Sequence, residues 1–542
     1  MCVVVTPVAR LGAAQVNVLT YHNDRSRTGQ NLVETILTPS NVNSSTFGKL
    51  FLVTLDGVVD AQPLYVEGLL VPNQGTHDAL VVATENDSLY LLDADTGATL
   101  WHVSLLKSGE TPSDNRGCSQ VTPVIGITST PVIYLKSATA GGIIYAVAMS
   151  KDSSGNYHQR LHAVSLTTGA ELLDGPVTIQ AQFPGTGENS SGGYVVFNPA
   201  QYKERSGLLL LNGQVYLGWA SHCDIQPYTG WVMAYNADTL AQTAVLNVTP
   251  NGGEGAIWGA GGGFASDSTG NIYFMDANGT FDTALTTQGF PAEGDFGNAV
   301  IKLTPSGSQI TIVDYFTMYN TVSESDADED LGSGGALVLP DMTDAGGNVR
   351  HLVIGAGKDA NIYLVDRDNM GKFNPQNNSN LYQELSGALA GGSWSTPAYF
   401  HGRVYFGAVS NSIQSFQFSQ ALLNSTPVSK TSHVFSYPGV TPSISANGTT
   451  NGILWAVENA SPAVMHAYTA TNLATELYNT GEAPNERDQF GVGNKFMTAT
   501  IANGKVYVGT PTGVAAFGLL TGGVCRSCRK ETAASSAAAP RR

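Results

Sequence analysis

Charge is scarce in this sequence. Only 13% of its 542 residues are Asp, Glu, Lys or Arg, about half of the usual quarter. The hydrophobic share is an ordinary 42%, whereas disorder needs few apolar residues and high charge. No run of 18 apolar residues occurs, so nothing is expected to span a membrane as a helix. Long runs of Ala, Glu, Lys and Leu are missing too, which excludes helix bundles and coiled coils. Lys and Arg number 26 against 43 Asp and Glu, for a net charge of −17, and no basic cluster lies outside the two ends. A surface that tracks phosphates needs clustered cations, so nucleic acid is not an expected partner. The acidity suits the solubility of an extracytoplasmic protein.

Cysteine is also sparse. Cys2, Cys118, Cys223, Cys525 and Cys528 are too few and too scattered for a disulfide framework. Cys525-Arg-Ser-Cys528 is followed by Arg529, where covalent haem attachment wants His, and no second C-x-x-C completes a zinc ribbon. Residues 1–14 are apolar, end in small residues and lack a charged start, which reads as the remnant of a secretory signal. An untethered extension is the plain alternative. Residues 523–542, rich in Ala and Ser, read as a disordered tail.

What the chain has in abundance is turns, with 61 glycines and 24 prolines. Short β-rich runs recur in one order. A first run follows small-x-Pro, as in Ala61-Gln62-Pro63, Ser129-Thr130-Pro131 and Ser395-Thr396-Pro397. A second reads Gly-x-β-branched-aromatic, as in Gly213-Gln-Val215-Tyr216, Gly402-Arg-Val404-Tyr405 and Gly504-Lys-Val506-Tyr507. A third ends in a turn such as Asp93-Ala-Asp95-Thr96-Gly97, and a fourth follows, as in Thr99-Leu-Trp101-His-Val103. Alternation of period two between such turns is the strand signature. Second strands are expected near Leu80, Ile143, Val215, Ile272, Leu352, Val404, Ile453 and Val506. Length alone suggests three or four domains. The repeats replace that with one all-β, eight-bladed β-propeller of four-stranded blades over residues 47–522, after an N-terminal extension at 15–46. The orphan strand Lys49–Leu55 would pair with the last blade and close the ring.

The turn Asp93-Ala-Asp95-Thr96-Gly97 with Trp101 resembles the tryptophan-docking repeat of quinoprotein dehydrogenases, eight-bladed propellers that hold pyrroloquinoline quinone (PQQ) and usually Ca²⁺. The opening Tyr21-His22-Asn23-Asp24-Arg25-Ser26-Arg27-Thr28-Gly29-Gln30 is similar to that of secreted bacterial proteins of PQQ-like repeat type. The resemblance implies roles for particular residues. Gly255-Ala-Ile-Trp258-Gly259 looks like the segment whose Trp floors the quinone, and Ala277-Asn278-Gly279 like the turn that supplies a metal ligand. The stretch from Asp330 to Asp341 is similar to the one holding the catalytic Asp. Lys358, with Tyr363 and Asp366-Arg367, matches the spacing of the quinone-contacting Lys. Gly392-Ser393-Trp394 resembles the Gly-Asn-Trp beside the cofactor, and Ser221-His222-Cys223-Asp224 resembles the Ser-x-x-Glu whose acid binds the metal. The family's vicinal Cys pair is absent, only Cys118-Ser119 standing in that blade. Gly332, where the lanthanide-using branch has a second Asp, implies calcium rather than a lanthanide.

These roles have chemical sense. Trp258 and Trp394 would face a flat quinone, and Ser393 would lie beside it. Asp224, Asn278 and Asp330 are oxygen ligands of the kind a hard dication takes. Asp330 would accept an alcohol proton and Lys358 would stabilise charge on the reduced quinone. Plain readings stand beside each: a Trp258 plugging a blade interface, an Asn278-Gly279 turn, an Asp330 ending a solvated acidic run, a Lys358 capping a turn with Asp359. The expected function is a secreted or periplasmic, monomeric oxidoreductase acting on a small alcohol or carbohydrate with PQQ and Ca²⁺, its electrons passing to an external acceptor. A non-catalytic propeller binding a glycan or protein, and a polysaccharide hydrolase or lyase on the same face, are the alternatives.

Overall fold

The computed structural model of the chain describes residues 16–520. The signal remnant expected at 1–14 and the disordered tail expected at 523–542, with Cys525 and Cys528, lie outside the described residues. Among those residues strands dominate, with one short α-helix, Thr321–Asp326. Eight sheets have four to six strands, beside one three-stranded and one two-stranded sheet. Each of the eight expected second strands lies in a different one of those larger sheets. We number them one to eight in chain order.

Sheet one shows how the sequence builds each unit. The strand Leu64–Val71 follows Pro63, and Gly75–Thr84, Ser88–Asp93 and Thr99–Ser104 pair with it in succession. Ser88–Asp93 is buried almost throughout, whereas Thr99–Ser104 alternates between partly buried and exposed residues. The inner strands are covered on both faces by neighbouring sheets, and the outermost meets water on one side. Apolar clusters accordingly lie between successive sheets, for example Tyr216 and Val232 of sheet three with Ile272 and Ile301 of sheet four. Each fully buried Leu, Ile or Phe contributes roughly 1.5–3 kcal/mol there.

The repeated aromatic residues join sheets. Tyr145 of sheet two donates to the Ala237 carbonyl of sheet three at 2.6 Å, and Tyr405 of sheet six to Ala470 of sheet seven at 2.9 Å. Tyr507 of sheet eight donates in the same way to Ala94 of sheet one at 2.9 Å. Trp101 of sheet one donates from Nε1 to Leu166 of sheet two at 3.1 Å and lies over the turn at Gly169. A Cβ on Gly169 would sit 2.9 Å from that indole, and its φ of +71° also requires glycine. The strand Phe47–Thr54 pairs antiparallel with Gly513–Leu519 in sheet eight, from Phe47 opposite Leu519 to Thr54 opposite Gly513.

Residues 17–34, expected only as an extension, thread past the inner edge of all eight sheets. Asn17 and Val18 pair with Val66 and Tyr65 of sheet one. The Leu19 carbonyl then accepts from Ile133 N, and Thr20 donates to the Leu208 carbonyl beside sheet three. The carbonyls of Arg25, Ser26, Thr28 and Gly29 accept from Ser266, Val338, Tyr399 and Ile444 of sheets four to seven at 2.7–2.9 Å. Asn31 finally donates to the Ile501 carbonyl of sheet eight at 2.9 Å. Inner edge strands carry backbone groups that need partners, and this segment supplies them in chain order. Arg27 anchors it. The guanidinium is fully buried and donates to the carbonyls of Phe264, Tyr21 and Leu208 and to the Thr20 hydroxyl, at 2.7–3.2 Å. Burial pushes its pKa down to about 10.

The cysteine pattern held one pairing that its scatter concealed. Cys118, in the loop between the strands Thr111–Asp114 and Val124–Ile125 of sheet two, is disulfide-bonded to Cys223, just past the strand Gln214–Ser221 of sheet three. The closed loop is 105 residues long.

Two outcomes follow from these cross-links. Arg27→Met leaves buried carbonyls without donors and should lower stability by about 3 kcal/mol. The urea midpoint measures the loss, and Arg27→Lys should restore little because one ammonium cannot reach four acceptors. Removing both cysteines as Cys118→Ser/Cys223→Ser should cost about 2–4 kcal/mol, the range for closing long loops. Non-reducing peptide mapping of the native protein should recover the linked Cys118–Cys223 peptide.

Candidate functional site

On the face where second strands end and first strands begin, a cavity of about 480 Å³ opens. Its aromatic walls come from segments that precede first strands. Trp258 packs edge-on against Phe496 at 6.0 Å between ring centres, and Trp394 edge-on against Tyr437 at 5.5 Å. Three cations share the space: Lys203, Arg205 and Lys358. Arg205 lies 5.0 Å over the Phe496 ring and 3.7 Å from Asp60. Lys203 is buried, and burial together with the Arg205 charge lowers its pKa to about 8.

Asp330 and Lys358 meet on this lining. Lys358 follows the strand Leu352–Ala356, and its backbone N–H donates to the Asp330 carbonyl at 2.9 Å. Its ammonium lies 3.0 Å from Asp330 Oδ2 and also contacts Asp328. Asp330 is 1% exposed, and its Oδ1 has no hydrogen-bond partner. Burial raises its carboxyl to about 6 despite the lysine charge, which pulls the other way. Burial opposes the Lys358 charge, but the two carboxylates outweigh it and raise its pKa. Close backbone approach requires the nearby glycines. A Cβ on Gly357 would sit 2.4 Å from the Asp330 carbonyl oxygen, and one on Gly332 2.4 Å from Ala277 N. Gly332 therefore has a packing cause of its own.

The remaining expected residues separate into two groups. Asp224 lines the cavity, its carboxylate accepting from the Ser221 and Tyr228 hydroxyls at 2.9 Å each. Trp258 and Trp394 line it as well. Asn278 does not. It lines an adjoining groove of about 1060 Å³ that shares Asp224 and Asp328 with the cavity, and its amide donates to Glu254 at 3.2 Å. Ser393 is fully buried outside the cavity lining. Its N–H donates to Gly357 and its carbonyl accepts from Ser333, so it ties the Lys358 turn to the Asp330 turn.

Several residues in and around these spaces went unread in the sequence. Asp276, fully buried, has no partner for either carboxylate oxygen, and burial raises its pKa strongly, with Asp330 adding to the effect. Glu188 and Glu254 make the groove acidic. Cys223 carries the disulfide to the cavity wall. Asp276 and Glu254 stand two and one residues from the quoted Asn278 and Gly255 motifs, which was the available signal. Asp224, Asn278 and Asp330 are oxygen donors, but as placed they are engaged with Tyr228, Glu254 and Lys358 in turn. Their chemistry suits calcium; their placement does not make a ready ligand set. The cavity itself has aromatic walls that suit a flat molecule such as PQQ, and Lys203 and Arg205 that suit its carboxylates, although Asp328 and Asp330 already hold Lys358.

No protein-family model matches the sequence, and no curated protein matches it. Among solved structures the chain is similar to the quinohemoprotein alcohol dehydrogenase from Comamonas testosteroni, with a TM-score of 0.61 and 15% identity over 94% of this chain and 81% of that one. A quinohemoprotein alcohol dehydrogenase from Pseudomonas putida HK5 gives a TM-score of 0.61 and 15% identity, over 97% and 82% of the two chains. A europium-containing methanol dehydrogenase gives 0.57 and 11%, over 93% and 98%. At such identities the likeness is one of fold, and the fold of this all-β chain is a quinoprotein-like β-propeller.

Proposed function

We propose that the protein is a secreted or periplasmic oxidoreductase that binds PQQ in the cavity, oxidises a small alcohol or sugar, and passes electrons to a separate acceptor. In this reading the eight sheets are blades of one closed ring. Its support is that sheet eight joins sheet one through Tyr507 as sheets two and six join their successors. The observation that carries the function is the buried Asp330–Lys358 pair on an aromatic cavity lined by three cations and three carboxylates. Bound PQQ would supply a two-electron acceptor for the hydride of a carbinol.

The chain's own residues would do the rest. Trp258 and Trp394 offer ring faces, and Lys203 and Arg205 offer charges for carboxylates. Asp330 Oδ1, free of partners, would accept the substrate hydroxyl proton. Lys358 holds Oδ2 and so fixes the carboxylate's orientation. Asp224, Asn278 and Asp330 would be the oxygen ligands of Ca²⁺ in this reading, but as placed they are engaged with other partners, and no step is derived through the ion. No helix among the described residues is long and apolar enough to cross a membrane.

The engaged carboxylates favour one other reading, a non-catalytic propeller that holds a glycan or protein on the same aromatic walls. A hydrolase or lyase is disfavoured, because Asp328 and Asp330 clamp one ammonium instead of facing each other across a bond.

Titrating the protein with PQQ and Ca²⁺ should perturb the quinone absorbance and permit dye reduction with a panel of alcohols and sugars. Neither response, with a glycan array positive, would favour the binding module. If the oxidoreductase reading holds, the rate should rise with pH through about 6 as Asp330 ionises. Asp330→Asn should lose about 10²–10⁴-fold in rate while still binding PQQ. Lys358→Met removes the charge that favours ionised Asp330, so the acidic limb should move to higher pH.

A further inference from the structure

A second cluster of ligating side chains lies apart from the Asp330–Lys358 pair. His433 is in the connection from Ser429–Lys430 to the strand Ser443–Asn447, Glu458 ends Thr450–Glu458, and His466 lies on Val464–Thr469. Among the described residues they are the one group of three His, Cys, Asp or Glu side chains whose ligand atoms all lie within 4.8 Å of one another. Glu458 Oε2 is 3.1 Å from His433 Nε2 and 3.6 Å from His466 Nε2. Atoms bound tetrahedrally to one zinc ion stand about 3.3 Å apart, given bonds of roughly 2.0–2.2 Å.

The orientation of His466 supplies an independent observation. The residue is 4% exposed, and its Nε2 is buried without a hydrogen-bond partner. Its Nδ1 lies 2.7 Å from Glu476 Oε1, which also accepts from Asn479. A carboxylate on one ring nitrogen fixes the tautomer and turns the lone pair of the other toward a metal. Phe435, fully buried, packs edge-on against both imidazoles and holds their planes. The His433 side chain is 39% exposed, which leaves an entry path and an open fourth position.

We propose that His433, Glu458 and His466 bind a divalent transition metal of the zinc type, with Glu476 as the positioning carboxylate. Two imidazoles and a carboxylate suit a borderline cation rather than calcium. The metal would tie the connection that enters sheet seven to the second and third strands of that sheet. Four residues past His433 is Tyr437, the cavity wall that packs on Trp394, so the ion braces one side of the cavity. The competing account is metal-free: a charged His466 bridging Glu458 and Glu476.

The test uses the full chain after chelator dialysis, in a Cys525→Ser/Cys528→Ser background that removes tail thiols as ligands. Titrated Co²⁺ should give the visible bands of a tetrahedral site, and Zn²⁺ should displace it at one ion per chain with a rise in Tm. His433→Ala, at a partly exposed position, should abolish the bands with circular dichroism unchanged. Glu476→Gln should weaken Zn²⁺ binding about 10–100-fold. No stoichiometric binding, or binding that neither substitution alters, would overturn the proposal in favour of the charged histidine.

Discussion

The passage of residues 17–34 along the inner edges of all eight sheets is the constraint on which the architecture rests. Each sheet begins with a strand whose inner side has no neighbour of its own, and buried backbone groups without partners are costly. One continuous segment resolves this for every sheet, in chain order, and commits their first strands to face a common line. The device depends on Arg27, which has no carboxylate partner and is satisfied wholly by neutral oxygens. It also touches the segments that carry two of the cavity's aromatic walls. The Tyr21 hydroxyl lies 3.5 Å from both Thr396 and Thr498, each two residues beyond a cavity-wall aromatic, Trp394 or Phe496.

Beside those covered inner edges, the distribution of charge acquires meaning. A chain with few ionisable residues still buries Asp330, Asp276, Glu85 and Lys203. Taking an ion out of water costs several kcal/mol after relaxation, and a packed apolar residue would remove the cost. Asp330 recovers part of it through Lys358; Asp276 recovers none from a hydrogen bond in the structure. Groups held at such cost cluster where charge is used, which is why the Asp330–Lys358 pair outweighs the more numerous surface carboxylates.

Much of the fold was legible because its signals are local. The Gly-x-β-branched-aromatic run marks second strands, and the structure explains its aromatic residue at Tyr405 and Tyr507, whose hydroxyls reach the next sheet. Lys358 stood out through its local spacing to Tyr363 and Asp366-Arg367, whereas its contact with Asp330 joins residues 28 apart in the chain. What escaped depends on distant pairing or on the direction of a side chain. Cys118 and Cys223 meet across 105 residues. Asn278 and Ser393 carry the expected spacing but point toward Glu254 and Ser395. Residues 17–34 looked like an extension because most of their partners are backbone groups spread over eight separate sheets, which leave no mark on the segment's own sequence.

The cavity walls pose a problem that the strands do not solve. Segments connecting the outer strand of one sheet to the inner strand of the next have few ladder partners, so a wall built from them needs bracing to keep a shape. Each of three wall segments is held by a different kind of cross-link. The Cys118–Cys223 disulfide fixes the loop between Thr111–Asp114 and Val124–Ile125 to the end of a strand in sheet three. The Lys358 ammonium fixes the acidic stretch through Asp328 and Asp330 to the turn after Leu352–Ala356. His433, Glu458 and His466 gather the connection that carries Tyr437 onto sheet seven. Covalent, ionic and imidazole–carboxylate links serve one purpose, the rigidity of a binding surface made of loops on a β scaffold.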